Sequence, residues 1–409
     1  MDERMAETIK LSKRTSHLSG TFELPMSKSM VNRALLISAL YPQVTLKGMS
    51  TSKDSEYLAQ VLSSYSGDDN YLGAGGTTLR FAAAYWAIQE GAQMTLRGTE
   101  KLNARPIDHY VAALNALGAE VSYAEVDGQA PLFIQGAGMS GGQFHMGHVE
   151  SSQFVTALMI IAPLMKNGMS LTWDSIPSTP YLLMTAALLR QVGFEVELST
   201  KGVVIAPGQE ASETVLLMEP DWSAVAFWCE AVALSESAHI TLLGFKEESL
   251  QGDRKVIQYF EPLGVQYSFT DQGLELKKVP SLAPGHLIYN LIGEPDVAQA
   301  LVMSLVFKRI PFEINGLYTL RLKETDRITA LEEVLNAFGV QLESTSSSVR
   351  CLSYPKLFKK PSVAFSTYED HRVAMSLAPV SVLFDISLRD ASVVDKSYPE
   401  FWKHWSSLK

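Results

Sequence analysis

Two cysteines, Cys229 and Cys351, are all that the 409 residues contain. They stand far apart and in no motif, which excludes a disulfide framework and points to a reducing compartment with two ordinary buried or free thiols. Long apolar runs are missing as well. The longest nearly apolar stretch, residues 154–165, is too short to span a bilayer. The opening residues, MDERMAETIK, carry acids and no apolar segment, so no signal peptide is expected. A cytoplasmic chain without membrane contact follows. An excess of basic residues is also lacking: 34 Lys and Arg stand against 44 Asp and Glu, a net charge of −10 that argues against a nucleic-acid surface. Any anionic ligand therefore requires a local concentration of cations. No low-complexity or linker-like stretch occurs, so domains should be joined by short crossings. With 46% hydrophobic residues the chain can bury substantial cores, and its length favours two or three domains.

What the chain does contain is a repeat. After opening strands at 9–18 and 20–24, six short strand patterns can be read at 44–48 (VTLKG), 94–98 (MTLRG), 169–173 (MSLTW), 240–244 (ITLLG), 312–316 (FEING) and 385–389 (DISLR). Each is followed by a polar loop and a helical pattern. Four of these helices end alike, in LNALG, LLRQVG, FEPLG and LNAFG, with glycines at 118, 193, 264 and 339 spaced 75, 71 and 75 residues apart. The period is longer than solenoid units, so each copy reads as a small α/β subdomain, and six copies fit two three-copy domains.

A second regularity is that apolar helices begin in polar clusters. Residues 25–33 (PMSKSMVNR) precede an apolar helix running to Leu40, with Ser27 or Ser29 as cap and Lys28 and Arg33 flanking its first turn without an acid nearby. Residues 73–80 (GAGGTTLR) open a second apolar helix. Their glycines allow close approach of a ligand to the backbone, although a tight turn explains this segment equally well when it is taken alone. Arg105 lies in a loop with Pro106 suited to the first helical position. Ser151, Ser152 and Gln153 stand before FVTALMIIAPL, a helix apolar all round; capping explains one serine but not the trio. Ser178 begins another such loop. Residues 219–223 (EPDWS), 293–296 (GEPD), 369–372 (EDHR) and 395–401 (DKSYPEF) do the same in the second half.

Residues 320–339 (LRLKETDRITALEEVLNAFG) form an amphipathic pattern from Ile328, with Leu331, Leu335 and Phe338 on one face. Thr325 or Asp326 can cap it and Gly339 can end it. Lys323 and Arg327 at this start oppose the helix dipole, a cost most easily tolerated when an anion sits there. A solvated, charged helix start accounts for KETDR by itself just as well. Buried helices gather polar groups at their ends in any case. That rule does not account for helix starts around 28–33, 80, 105, 323–327, 372 and 396 being predominantly basic in a chain of net charge −10. The residues therefore read as a site for a small, multiply anionic substrate, built from helix N-termini ringed by Lys and Arg. Asp296 and Glu324 are the carboxylates best placed for proton transfer, and each could equally be a cap or an ion-pair member. His145 and His148 are the one close histidine pair; they lack a third ligand of suitable spacing and read as surface residues, so no metal is expected.

KSMVNRALL at 28–36, GGTTLR at 75–80, the Arg105–Pro106 loop, SSQF at 151–154, KETDR at 323–327, DHRVAM at 370–375 and DKSYPEF at 395–401 resemble, in order, the signature segments of the 5-enolpyruvylshikimate-3-phosphate synthase family of enolpyruvyl transferases. The resemblance implies an α/β fold of two domains (an inverse α/β barrel), each built from three βαβαββ-type repeats. Residues 27–219 would form one domain and residues 1–26 with 220–409 the other, with the active site in the cleft between them. It implies transfer of the enolpyruvyl group of phosphoenolpyruvate to the 5-hydroxyl of shikimate 3-phosphate in aromatic amino-acid biosynthesis, through a tetrahedral intermediate that expels phosphate. Lys28, Asp296 and Glu324 would be catalytic, Asp296 taking the hydroxyl proton and Glu324 handling the proton at the vinyl carbon. Lys28, Ser29, Arg33, Ser151, Ser152, Gln153, Ser178, Asp296 and Lys323 would hold shikimate 3-phosphate. Lys28, Gly76, Arg105, Gln153, Lys323, Arg327, Arg372 and Lys396 would surround phosphoenolpyruvate, whose analogue glyphosate would compete. No cofactor and no metal are implied, the partners are the two small substrates, and a monomer is expected. Three positions depart from the family pattern: Ala74 and Thr319 where many members have Asn, and Phe81 where many have Pro. The sister transferase acting on UDP-N-acetylglucosamine shares the architecture but usually carries a reactive cysteine in the loop matching Arg105, and neither cysteine here lies near it. A non-catalytic anion-binding protein on the same scaffold is the third reading.

Overall fold

The computed structural model describes residues 8–63, 70–281 and 285–409. Most of the opening segment in which no leader was read, residues 1–7, lies outside the described residues. The chain forms two compact units, Met26–Met218 and Met1–Pro25 with Glu219–Lys409. No helix among the described residues is long and apolar enough to cross a membrane.

Within Met26–Met218, strand Asn70–Tyr71 pairs in parallel with Gln93–Arg97 on either side of helix Gly76–Ala87. Helix Asp108–Ala116 follows, and the hairpin of Glu120–Tyr123 and Leu132–Gln135 then closes antiparallel onto Gln93–Arg97. The same βαβαββ order recurs with Gly142–His145, helix Ser152–Ile161, Met169–Thr172, helix Thr179–Gln191 and the hairpin Val196–Leu198/Gly202–Ile205. A third copy is made of Thr214–Leu217 beside Val44–Lys47, with helices Lys28–Leu40 and Lys53–Ser63.

The unit of Met1–Pro25 with Glu219–Lys409 repeats this plan. His17–Phe22 runs parallel to Ser237–Leu243, and Leu287–Asn290 parallel to Phe312–Asn315, each sheet completed by an antiparallel hairpin. Ile9–Leu11 with Ile386–Leu388 makes the third, two-stranded sheet. The single strand expected at 9–18 is broken because its two ends serve different sheets. Between them Lys13 N–H donates to Asp385 Oδ1 at 2.7 Å and Arg14 N–H to the Ser381 carbonyl at 2.9 Å, which turns the chain.

In each unit one helix per copy is sealed inside. Lys28–Leu40, Gly76–Ala87 and Ser152–Ile161 pack on one another, as do Trp222–Leu234, Ala298–Phe307 and His371–Leu377. Their apolar residues face core on all sides, and the few polar groups along their bodies, among them Arg33, Thr156, Glu230 and Ser304, are buried with them. The outer helices terminate at Gly118, Gly193, Gly264 and Gly339, with φ of +100°, +102°, +85° and +80°. This left-handed conformation closes the helix and costs a glycine little. Both cysteines are buried free thiols.

Candidate active site: two clusters at the starts of buried helices

In Met26–Met218 the buried helices present Lys28 and Ser29, Gly76, and Ser152 and Gln153 in their first turns. Ser27 caps the first of them, receiving the Met30 N–H at 3.4 Å. Lys28 has a counter-charge that its own segment does not reveal: Asp54, on helix Lys53–Ser63, stands 3.0 Å from Lys28 Nζ. Arg33 is only 2% exposed and is held by neutral groups, donating to Thr185 Oγ1 at 2.8 Å, Thr156 Oγ1 at 3.3 Å and the Ser29 carbonyl at 2.6 Å. The rings of Phe81 and Tyr181 lie 5.9 and 5.6 Å from its guanidinium carbon. Burial pushes its pKa down to about 10, with the Tyr181 phenol opposing. The Phe81 departure is thus a core substitution, fully buried beneath Arg33.

Gly76 admits two guanidinium groups. A methyl there would stand 2.5 Å from Arg80 Nη1 and 3.1 Å from Arg105 Nη1. Arg80 donates to Gln153 Oε1 at 2.9 Å, and Gln153 Nε2 donates to Thr77 Oγ1 at 2.8 Å. Ser151 caps its helix by accepting the Gln153 N–H at 3.3 Å, which leaves the Ser152 hydroxyl outside the capping role. Ser178 sits at φ +55° and ψ +42°, a left-handed conformation unusual for a non-glycine residue and characteristic of sites where position matters more than local stability.

In the other unit the cluster is an ion-pair network. Asp296 Oδ1 lies 2.9 Å from Arg327 Nη1 and 3.5 Å from Lys323 Nζ, and its Oδ2 lies 2.9 Å from Arg372 Nη2. Glu324 meets Arg327 Nη2 at 3.1 Å and Lys396 Nζ at 2.9 Å. Arg327 is also clasped by Asp370, at 2.7 Å from Nε and 3.3 Å from Nη2. Arg372 joins the helix starts by donating to Ser223 Oγ at 3.0 Å; Ser223 in turn donates to the cap residue Asp221 at 2.7 Å. Asp326, not Thr325, caps the helix Arg327–Ala337, receiving the Ile328 and Thr329 N–H groups at 3.1 Å each. The cations expected to await an external anion are therefore already matched by carboxylates. Among the described residues, Lys323, Arg327, Arg372 and Lys396 thus interlock with Asp296, Glu324 and Asp370.

Burial alone would raise the Asp296 pKa. Arg372, Lys323 and Arg327 outweigh it and hold the group well below the usual carboxylate range, with Glu324 opposing them. Burial likewise lowers Lys323, with Asp296 working against it. Burial would depress Arg327, but Asp370, Glu324 and Asp296 more than reverse that and keep it firmly charged. Asp296 is thus an ionised, poorly basic group as long as its three cations stay on it.

Of the residues expected at the site, Lys28, Ser29, Arg33, Gly76, Arg105, Ser151, Ser152, Gln153 and Ser178 lie in Met26–Met218, and Asp296, Lys323, Glu324, Arg327, Arg372 and Lys396 lie in the other unit. Arg80 was read only as a basic helix start, and Thr77, Ser223 and Asp370 only as parts of their motifs. Asp54 carried no local signal. No group of three or more His, Cys, Asp and Glu that could hold a metal occurs among the described residues. His145 and His148 are exposed and make hydrogen bonds to the Thr172 and Ser175 hydroxyls.

Comparison with known proteins bears on this arrangement. The family model described as EPSP synthase (3-phosphoshikimate 1-carboxyvinyltransferase) matches residues 60–405. A 3-phosphoshikimate 1-carboxyvinyltransferase of Bacteroides fragilis (strain YCH46) is 34% identical over 390 residues, covering 95% of this chain and 94% of the relative. One of Tolumonas auensis is 29% identical, covering 96% and 97%. The structure of EPSP synthase from Acinetobacter baumannii superposes with a TM-score of 0.75 at 18% identity, covering 98% of this chain and 97% of that one, so the two-domain inverse α/β fold is shared. A match across most of the chain, a one-third-identical relative over nearly all of its length and the common fold agree: the chain belongs to the EPSP synthase family.

Proposed function

We propose that the chain transfers the enolpyruvyl group of phosphoenolpyruvate to the 5-hydroxyl of shikimate 3-phosphate. The observation that carries this reading is the network of Lys323, Arg327, Arg372 and Lys396 around Asp296 and Glu324. Two carboxylates suited to proton transfer stand among cations suited to phosphate and carboxylate.

In the addition step the hydroxyl oxygen bonds to C2 of phosphoenolpyruvate and its proton leaves to Asp296, while C3 gains a proton from the Glu324 carboxyl. In the elimination step C3 returns a proton to Glu324 and the C2–O bond to phosphate breaks, which restores the vinyl group, while the departing phosphate takes the proton held on Asp296. The depressed pKa of Asp296 makes it a weak base at rest. Substrate anions that draw Arg327, Lys323 and Arg372 toward themselves remove the charges that depress it, so substrate binding itself makes the base. In the other cluster Lys28, Ser29, Arg33, Ser151, Ser152, Gln153 and Ser178 take shikimate 3-phosphate, and Lys28, Gly76, Arg105 and Gln153 take phosphoenolpyruvate. Hydroxyls and helix N–H groups suit the former, and the Lys28 and Arg105 cations with the open backbone of Gly76 suit the latter.

Transfer to UDP-N-acetylglucosamine is less favoured, because Cys229 and Cys351 are both buried and far in sequence from the Arg105 loop. Phosphorus NMR of the chain with both substrates tests the reading. The phosphoenolpyruvate resonance should give way to inorganic phosphate, with the 3-phosphate of shikimate retained in a new 5-enolpyruvyl ether. Phosphate appearing equally without shikimate 3-phosphate contradicts transfer.

A further inference from the structure

Arg80 is a buried cation whose place in this chemistry has not been assigned. It is 8% exposed, with its guanidinium carbon 5.1 Å from the centre of the Phe154 ring. Its Nε is buried without a hydrogen-bond partner. No carboxylate among the described residues pairs with it. Burial, then the neighbouring Arg105, depresses its pKa to about 10, with Tyr110 opposing. An arginine buried at this cost without a counter-ion needs a compensating task. Its directed contact is the 2.9 Å hydrogen bond to Gln153 Oε1.

We infer that Arg80 is a positioning residue that fixes the orientation of the Gln153 amide for both substrates; the inference rests on Gln153 being a substrate ligand, as proposed above. The two ends of an amide are nearly the same shape, and one must be told from the other by its partners. Thr77 cannot do this, since a hydroxyl can either donate or accept. A guanidinium has donors only, so it tolerates the carbonyl and rejects the NH2 group. With the carbonyl on Arg80, the NH2 group is turned to Thr77 Oγ1 at 2.8 Å, and its second N–H remains for a ligand oxygen. A reversed amide would offer a carbonyl where an anionic substrate needs a donor. The cation–π contact with Phe154, the residue after Gln153, holds the guanidinium to the same helix start.

The test is a double-mutant cycle on the full chain with Arg80→Gln, Gln153→Ala and the pair, reading KM for each substrate and kcat. Arg80→Gln removes the donor-only partner and should lower kcat/KM by about 10–100-fold, the usual weight of a charge-assisted hydrogen bond. In the Gln153→Ala background the same change should cost less than about 3-fold, because there is no amide left to orient. Arg80→Lys, another donor-only cation, should recover part of the loss, and melting curves of all variants identify any that fail to fold. A crystal structure of Arg80→Gln gives the second measurement, in which the Gln153 amide should leave Thr77 or reverse. Multiplicative losses in the cycle, or a Gln153 amide that stays on Thr77 unchanged, overturn the inference. Absence of transfer by the unmutated chain overturns the proposed function instead, and the orientation of Gln153 in the crystal still decides the role of Arg80.

Discussion

Asp370 governs two arginines with one carboxylate: Oδ2 accepts from Arg327 Nε at 2.7 Å, while Oδ1 accepts the Arg372 backbone N–H at 2.8 Å as the cap of helix His371–Leu377. Both Asp370 and Arg327 are sealed, at 0% and 1% exposure. The pair therefore sets the geometry of Arg327 and Arg372, the two arginines proposed above as phosphoenolpyruvate ligands.

Replacing Asp370 by Asn keeps an oxygen for the helix cap but leaves Arg327 without its sealed counter-charge. Breaking a buried pair from one side costs about 3–5 kcal/mol. Asp296 and Glu324 still neutralise Arg327, so a loss near about 3 kcal/mol is expected. Differential scanning calorimetry should show a clearly lowered melting temperature, and KM for phosphoenolpyruvate should rise. A variant that melts with the parent chain contradicts the assignment.

A second prediction concerns pH. Lys278 and Lys308 converge on the Ala233 carbonyl at 2.6 and 3.4 Å, and no carboxylate among the described residues pairs with either. Burial, then Lys308, pushes Lys278 down to about 8. In the unfolded chain a lysine titrates near about 10.5. Between these values the unfolded chain holds a proton that the folded chain has released, so this group makes stability rise with pH across that window; below about 8 both forms are charged and its penalty is constant. Denaturant midpoints at pH 8 and 10.5 should therefore separate more in the parent than in Lys278→Met, where the contribution is gone. Equal separation contradicts the coupling. Lys278 is half exposed, so the difference should be modest.

Much of the scaffold was legible in the chain. The six strand patterns, the glycine-terminated helices and the polar helix starts all follow from local preferences, which a run of about ten residues carries on its own. The network of partners was not legible. Lys28 finds Asp54 across 26 positions, Arg327 finds Asp370 across 43, and Arg80 finds Gln153 across 73. Such pairings join the starts of helices that the fold brings side by side, within one copy for Lys28 and Asp54 and between copies for Arg80 and Gln153. Charge counted along the chain therefore suggested bare cations, whereas the folded chain neutralises most of them with its own carboxylates.

Glu324 separates ion pairing from catalysis. It touches Arg327 and Lys396, so Glu324→Gln removes both a charge and a proton carrier while keeping the shape. If Glu324 moves the vinyl proton, kcat should fall by about 10²–10⁴-fold with shikimate 3-phosphate binding preserved. If it only steadies the two cations, KM for phosphoenolpyruvate should rise and kcat should survive. Steady-state rates on the single variant, with a binding titration alongside, decide between these outcomes.

The most direct test of the whole account is phosphate release from phosphoenolpyruvate with shikimate 3-phosphate and UDP-N-acetylglucosamine offered as alternative acceptors. The account predicts turnover with shikimate 3-phosphate and a rate with the nucleotide sugar no greater than the background without acceptor. Preferential turnover of UDP-N-acetylglucosamine, or phosphate release indifferent to either acceptor, would contradict it.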